Sequence, residues 1–258
     1  MAELVTTSDG IGVAVELAWP EGAGPFPLVF LCHGYGSPAG MNNFTNTSIV
    51  PRLLERRIAS ARFSFRGHAG SEGRIEDVNL TTGQADFDAV RELVSRQENV
   101  DHQRLGVLGG SYGGITTLLA ISRHPALKAG VLKAPATDLV DARHYRFGEE
   151  AMREWQERGT YDFPYVERDI ATPYSFVTDA ESYDAYAIAE SISQPVLIHH
   201  GDADEQVPVE QSRRLAKILP HARYVEVHGA DHGFSKIEDA RAFQDAATDF
   251  LTHHLGDE

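Results

Sequence analysis

Gly109-Gly110-Ser111-Tyr112-Gly113 is the stretch on which the fold of this chain turns. It stands between an apolar run, Arg104 to Leu108, and a run of helical character, Ile115 to His124. A serine set among glycines where a strand passes into a helix reads as a nucleophile elbow, a sharp turn that lifts the hydroxyl above the sheet and aims it at substrate. Such a turn brings backbones close together and strains the dihedrals, so a Cβ beside the serine would clash. A Gly-rich turn before a helix is common in itself, and the weight therefore falls on the residues downstream of it.

After the apolar run Pro195 to Ile198 the chain reads Gly201-Asp202-Ala203-Asp204-Glu205-Gln206-Val207-Pro208, which puts an acid, Asp202 or Asp204, in a turn at the end of a predicted strand. After the strand-like run Tyr224 to Val227 it reads Gly229-Ala230-Asp231-His232-Gly233-Phe234. Serine, acid and histidine, each on a loop that follows a strand, come in the chain order of α/β-hydrolases rather than that of the chymotrypsin or subtilisin type. Three independent placements agree on one architecture.

With these residues in place the sequence resembles the α/β-hydrolase superfamily, and within it the small serine esterases related to cinnamoyl and feruloyl esterases. The resemblance covers nearly the whole chain: His33-Gly34-Tyr35-Gly36 after the first buried strand, Arg66-Gly67-His68-Ala69-Gly70-Ser71-Glu72-Gly73 after the next, then the elbow, Gly201 to Pro208, and Ala230 to Phe234. Gly110 stands where those esterases often carry histidine, and Gly-Gly-Ser-Tyr-Gly-Gly looks more like the catalytic domain of prolyl-oligopeptidase-type peptidases. The resemblance implies an α/β fold with a mostly parallel central sheet, helices on both faces and an inserted cap. It also puts the acid at the fourth position of Gly-x-x-Asp-x-x-Val-Pro, which selects Asp204 over Asp202. His232 is preferred over His228, which precedes the turn.

The chemistry expected of Ser111, His232 and Asp204 is acyl transfer. His232 accepts the serine proton during attack on an ester carbonyl and then protonates the leaving alcohol, while Asp204 orients the ring and stabilises the imidazolium. The oxyanion requires donors already in place, and the backbone N–H groups of Tyr112 and Tyr35 are the candidates. No cofactor is needed. Twelve histidines raise the question of a metal, but the His199-His200 and His253-His254 doublets lack ligand spacing and companions, so none is expected. Arg66 and His68 read as loop-fixing residues, and Asp86 and Asp88 as a solvated helix face.

The 258 residues, 42% hydrophobic and 24% charged, suffice for one domain with a large core. The net charge of −15 argues against nucleic acid and anionic membranes as partners, leaving a small-molecule ester. The oligomeric state stays open, a homodimer included. Met1 to Gly10 has neither a basic nor an apolar leader region, so the expected location is cytoplasmic. The single cysteine, Cys32, lies in a buried-strand pattern and reads as packed and inert. Only four of the 23 basic residues are lysine, a bias that a salty habitat or genomic base composition would explain equally well.

Strands and helices alternate along the chain, as in a parallel sheet covered on both faces. An opening antiparallel pair, Ala2 to Ser8 and Ile11 to Trp19, turns at Asp9-Gly10. The other expected strands are Leu28 to Cys32, Ala59 to Phe65, Arg104 to Leu108, Ala129 to Lys133, Val196 to His199 and Tyr224 to Val227. Helical periodicity marks Thr82 to Arg96 and a last helix from Ile237. Between Pro135 and Gln194 the chain spends nearly 60 residues where a crossover needs a helix and two short loops. Ten of the 23 aromatic residues fall in this segment. The reading is a hydrolase core of residues 1–136 and 191–258 with a cap at 137–190, whose rings, among them Trp155, Tyr161, Phe163 and Tyr174, are expected to wall the substrate pocket. The competing expectation is that many of them form the cap's own small core.

The functional expectation is a serine carboxylesterase acting on short-chain or aromatic, hydroxycinnamate-type esters. Peptidase-like and thioesterase activities are variants of the same acyl chemistry. A non-catalytic protein of this fold that binds a small molecule is the alternative from another class.

Overall fold

Phe26–Cys32 (β3) is buried at every position, the state expected of a continuous apolar run covered by helices on both sides. Phe26, Leu28, Phe30 and Cys32 enter one apolar layer, and Val29 and Leu31 the other, following the two-residue period of a strand. The computed structural model describes residues 2–164 and 169–256. Around β3 it places β1 (Glu3–Thr6), β2 (Gly12–Ala18), β4 (Ala59–Phe63), β5 (Val100–Gly110), β6 (Leu127–Lys133), β9 (Val196–Gly201) and β10 (Ala222–Val227), with β7 (Thr160–Phe163) and β8 (Ile170–Pro173) forming a separate hairpin. The eight-stranded sheet runs β1-β2-β4-β3-β5-β6-β9-β10. β2 pairs antiparallel with both β1 and β4, and all the other pairs are parallel.

Helices α1 (Phe44–Glu55) and α8 (Ile237–Leu255) cover one face through Ile49, Leu53, Phe243, Ala247 and Leu251. On the other lie α2 (Leu80–Ser95), α3 (Tyr112–Arg123) and α7 (Val209–Ile218), anchored by Phe87, Val90, Leu118 and Leu215. The sheet is thus mostly parallel with helices on both faces, an α/β-hydrolase arrangement. The expected strands are all present, with ends shifted by up to four residues. No described helix is long and apolar enough to cross a membrane.

The order of strands positions the site. The chain leaves β3 toward β4 on one side and returns to β5 on the other, so the loops after β3 and β5 diverge and open a crevice at the carboxyl ends of the strands. Tyr35 follows β3 and Ser111 follows β5. The loops after β9 and β10, carrying Asp204 and His232, emerge from the same edge of the sheet.

Between β6 and β9 the chain forms α4 (Leu139–Arg158), the β7–β8 hairpin, α5 (Ser175–Ala180) and α6 (Ala185–Ala189). Helix α4 breaks at Gly148, whose φ of 79° lies in the left-handed region. The segment is fastened to the rest of the molecule. The Asp179 carboxylate accepts hydrogen bonds from the Leu80 and Thr81 amides at the start of α2, where helix geometry leaves N–H groups without partners. Tyr145 donates to the Asp204 carbonyl at 3.1 Å. Trp155 and Phe163 are fully buried. Tyr165 lies outside the described residues.

Candidate active site

Ser111 sits between β5 and α3 at φ 54°, ψ −119°, a region that non-glycine residues enter only when the surroundings enforce it. The neighbouring backbone holds it there: the Ser111 amide donates to the Lys133 carbonyl at 2.9 Å, and its carbonyl accepts from Gly114. The glycines of the motif differ in their necessity. A Cβ on Gly113 would lie 2.4 Å from the Cys32 carbonyl oxygen, and one on Gly109 2.1 Å from that of Gly113. On Gly110 the nearest atom would be 3.5 Å away, an ordinary contact.

The loops after β9 and β10 meet because Gly201 has no side chain, since a Cβ there would fall 2.0 Å from the Ala230 carbonyl oxygen. The approach brings Nδ1 of His232 to 2.7 Å from Oδ2 of Asp204. An ionised carboxylate only accepts, so Nδ1 carries the proton and Nε2 is left as a base. Asp204 is buried beneath the ring, and its Oδ1 accepts the amides of Gln206 and Val207. Burial alone would raise its pKa, but hydrogen bonds from His200 and His232 and the Val207 amide outweigh it and hold the carboxyl well below the usual carboxylate range. The rival residues pair with each other instead: His228, exposed to solvent, sets Nδ1 2.7 Å from Asp202.

Tyr112 opens α3, so its amide is one of the donors that a helix N-terminus leaves free of intrahelical acceptors. Its ring is fixed, with the hydroxyl donating to the Asn79 carbonyl at 2.6 Å. The loop carrying Tyr35 is clamped by two histidines. The Gly36 amide donates to Nε2 of His68, whose Nδ1–H donates to the Arg66 carbonyl. The Phe65 amide donates to Nε2 of His33, whose Nδ1–H donates to Gly34. Arg66 in turn binds Asp86 and Asp9. Arg66 and His68 are therefore placed as loop-fixing residues. The expectation for Asp86 is corrected: it does not lie on a solvated face but is fully buried, because Arg66 takes its carboxylate inward through the backbone N–H, Nε and Nη2. Asp88 is partly exposed and pairs with Arg123 and His124.

Ser111, His232, Tyr35 and Tyr112 all line one cavity of about 490 Å³, with Asp204 behind His232. The four aromatic residues of the β6–β9 segment expected on its wall are not among its lining residues. They pack on one another: Trp155 and Phe163 lie 4.6 Å apart between ring centroids, Tyr161 and Phe163 4.8 Å, and Trp155 and Tyr174 5.7 Å. The Trp155 indole N–H donates to the Thr172 carbonyl at 2.7 Å. These rings gain more by excluding water from the segment's own core than by facing a crevice. The segment reaches the wall instead through Leu139, Ala142, Arg143, Arg146 and Pro164.

Sequence reasoning passes over two residues of the site. His200 directs Nε2 to the Asp204 carboxylate, and Lys133 donates from Nζ to the Gly233 carbonyl at 2.8 Å. Lys133 has no local sequence signal because it acts across the sheet on a loop a hundred residues away, whereas His200 acts on the loop that follows its own strand, four residues on, and nothing in the residue type marks it there. Cys32 is buried, and burial pushes its thiol up to about 12, so it does not supply a thiolate. No metal-holding cluster occurs among the described residues.

The sequence profile of the prolyl oligopeptidase family matches residues 54–258. An uncharacterised protein of Mycobacterium tuberculosis is 28% identical over 251 residues, covering 96% of this chain and 78% of that one. The uncharacterised peptidase YuxL of Bacillus subtilis is 27% identical over 250 residues, covering 91% of this chain but 36% of YuxL. Among solved structures, Est1E from Butyrivibrio proteoclasticus with ferulic acid bound superposes with a TM-score of 0.86 at 22% identity, over 99% of this chain and all of that one.

Proposed function

This chain belongs to the prolyl oligopeptidase family, and from that premise we propose that it is a serine carboxylesterase using Ser111, His232 and Asp204. The observation that carries the reading is the 2.7 Å pairing of His232 with Asp204 beside a cavity that also holds the strained Ser111. Ser111 Oγ attacks the ester carbonyl as His232 Nε2 takes its proton. Charge gathers on the carbonyl oxygen, where the Tyr112 and Tyr35 amides stabilise it. The C–O bond to the alcohol then breaks, and the alcohol leaves with the proton from His232. Water repeats the sequence on the acyl-enzyme and frees both the acid and the serine.

Short-chain and aromatic esters are the substrates this reading favours. The cavity lies within the range of small-molecule sites, and Tyr35 is the aromatic side chain on its wall that is partly exposed. Support for the aromatic class also comes from the resemblance to Est1E, whose structure holds ferulic acid. A peptidase is the second reading, favoured by the family and by the peptidase YuxL.

A fluorophosphonate probe is expected to label Ser111 alone, with Ser111→Ala folded, unlabelled and inactive toward aryl acetates. Hydrolysis by Ser111→Ala close to that of the unmodified protein would sink the assignment. Turnover of an aminoacyl anilide at a rate comparable to the esters would favour the peptidase reading.

A further inference from the structure

The chain carries 38 acidic against 23 basic residues, yet the described residues of the cavity wall include three cations, Lys133, Arg143 and Arg146, and no aspartate or glutamate. Lys133 is committed to the carbonyls of the His232 loop. The two arginines stand three positions apart on α4, hence on one face of the helix. Arg143 is only 7% exposed. Its guanidinium lies over the rings of Phe176, Tyr35, Phe163 and Phe147 at 5.0 to 5.8 Å, and that of Arg146 over Phe147 at 4.8 Å. Both also have partners within the chain.

Ring faces attract a guanidinium and offset part of the cost of burying it. The charge projects its field into the same cavity where Ser111 stands, and low-dielectric walls concentrate that field. On a molecule whose overall charge repels anions, a positive wall at the reaction centre selects for one. A guanidinium meets a carboxylate in a planar, two-pronged fit.

We infer that the substrate is an ester carrying a free carboxylate, which Arg143 and Arg146 receive while Ser111 attacks the ester carbonyl. The inference rests on the serine hydrolase reading above and names the substrate class for that site.

Two matched pairs test it and separate the two ends at which the charge could lie. Monoethyl glutarate against diethyl glutarate places the carboxylate on the acyl side. 3-Acetoxybenzoate against its methyl ester places it on the alcohol side. The wild-type protein is expected to prefer the charged member of at least one pair by about tenfold or more in kcat/KM, in keeping with a charge-assisted hydrogen bond. Arg146→Gln and Arg143→Gln are each expected to lower that ratio several-fold, and Arg143→Lys to lower it less than Arg143→Gln. If Arg143→Gln fails to fold, Arg146→Gln alone decides. A neutral member equal to or better than its charged partner in both pairs, or a ratio unmoved in Arg146→Gln, overturns the inference. Calorimetric binding of the same pairs to Ser111→Ala distinguishes the two failures. Equal affinity for charged and neutral members removes the carboxylate site, whereas absence of fluorophosphonate labelling in the wild type removes the hydrolase reading.

Discussion

Nε2 of His200 lies 3.1 Å from Oδ2 of Asp204, the oxygen that His232 also engages. Ser212 completes the arrangement at 2.7 Å from His200 Nδ1. With Nε2–H donating to the carboxylate and Nδ1 hydrogen-bonded to the Ser212 hydroxyl, the His200 ring fixes where Oδ2 stands. It does not touch the reacting atoms and is a positioning residue. His200→Phe is expected to lower kcat by roughly ten- to a hundredfold with a smaller effect on KM, and to move the acid limb of the pH profile as Asp204 loses a stabilising donor. Asp204→Asn is expected to cost roughly four orders of magnitude, the scale known for the orienting aspartate of serine proteases. A His200→Phe enzyme within twofold of wild type and with an unshifted profile would show that His200 is packing alone.

The glycines make a contrast that a single assay reads. Gly201→Ala places a methyl group 2.0 Å from the Ala230 carbonyl and must part the acid and histidine loops. Gly110→Ala meets nothing closer than 3.5 Å. Ester hydrolysis is expected to fall at least about a hundredfold in Gly201→Ala, since small displacements of a catalytic group carry penalties of that order. Gly110→Ala is expected to stay within a few-fold of wild type. Equal losses in both would mean that the elbow, rather than the meeting of the two loops, limits the geometry.

The contrast also explains what is legible in the sequence. Ser111, Asp204 and His232 can be located because each follows a strand whose apolar run is a local pattern, and the strand order then carries all three to one edge. Tyr112 comes with Ser111 as its neighbour in the chain, and Tyr35 with the loop that follows the apolar run of β3. Burial of a polar or aromatic side chain is decided by its partner across space, which no local window contains. Asp86 is adjacent to Phe87 on α2 and reads as solvated, whereas Arg66, twenty residues earlier, draws it into the interior. Trp155 and Phe163 carry no mark distinguishing a ring that walls a pocket from one that fills a core. Arg143 escapes notice for the same reason, as an arginine on a polar-looking helix.

If Trp155 belongs to the core of the β6–β9 segment, its loss acts on stability rather than on substrate choice. Trp155→Ala removes a fully buried indole and leaves the Thr172 carbonyl with the weaker 3.4 Å bond from the Thr160 hydroxyl. A cost of about 3 to 5 kcal/mol is expected, or a fall in Tm of roughly 10 °C for a chain of this size. The ratio of kcat/KM for a hydroxycinnamate ester to that for acetate should stay within about twofold. Calorimetry and the two ester assays check this together, and a large change of ratio with an unchanged Tm would return Trp155 to the pocket wall.

Lys133 offers a test in the alkaline range. Burial pushes its ammonium down to about 8 from the ordinary 10.5, although Asp231 and Asp204 pull the other way. The unfolded chain therefore holds more protons than the folded one between about pH 8 and 10.5, and in that window stability contributed through this residue rises with pH. Below pH 8 the cost of a buried charge is present in full. Lys133→Met removes both the titration and the hydrogen bond to Gly233. The difference in unfolding free energy between wild type and Lys133→Met, measured in urea, is expected to shift in favour of the wild type from pH 8 to pH 10 and to be flat between pH 6 and 7. At pH 7 the variant should show a lower kcat, because the carbonyls of His232 and Gly233 lose the cation that holds the loop, and Lys133→Arg should recover part of it. A difference that stays constant from pH 6 to 10 would mean that Lys133 keeps its proton throughout, with the carbonyls beside it offsetting the burial.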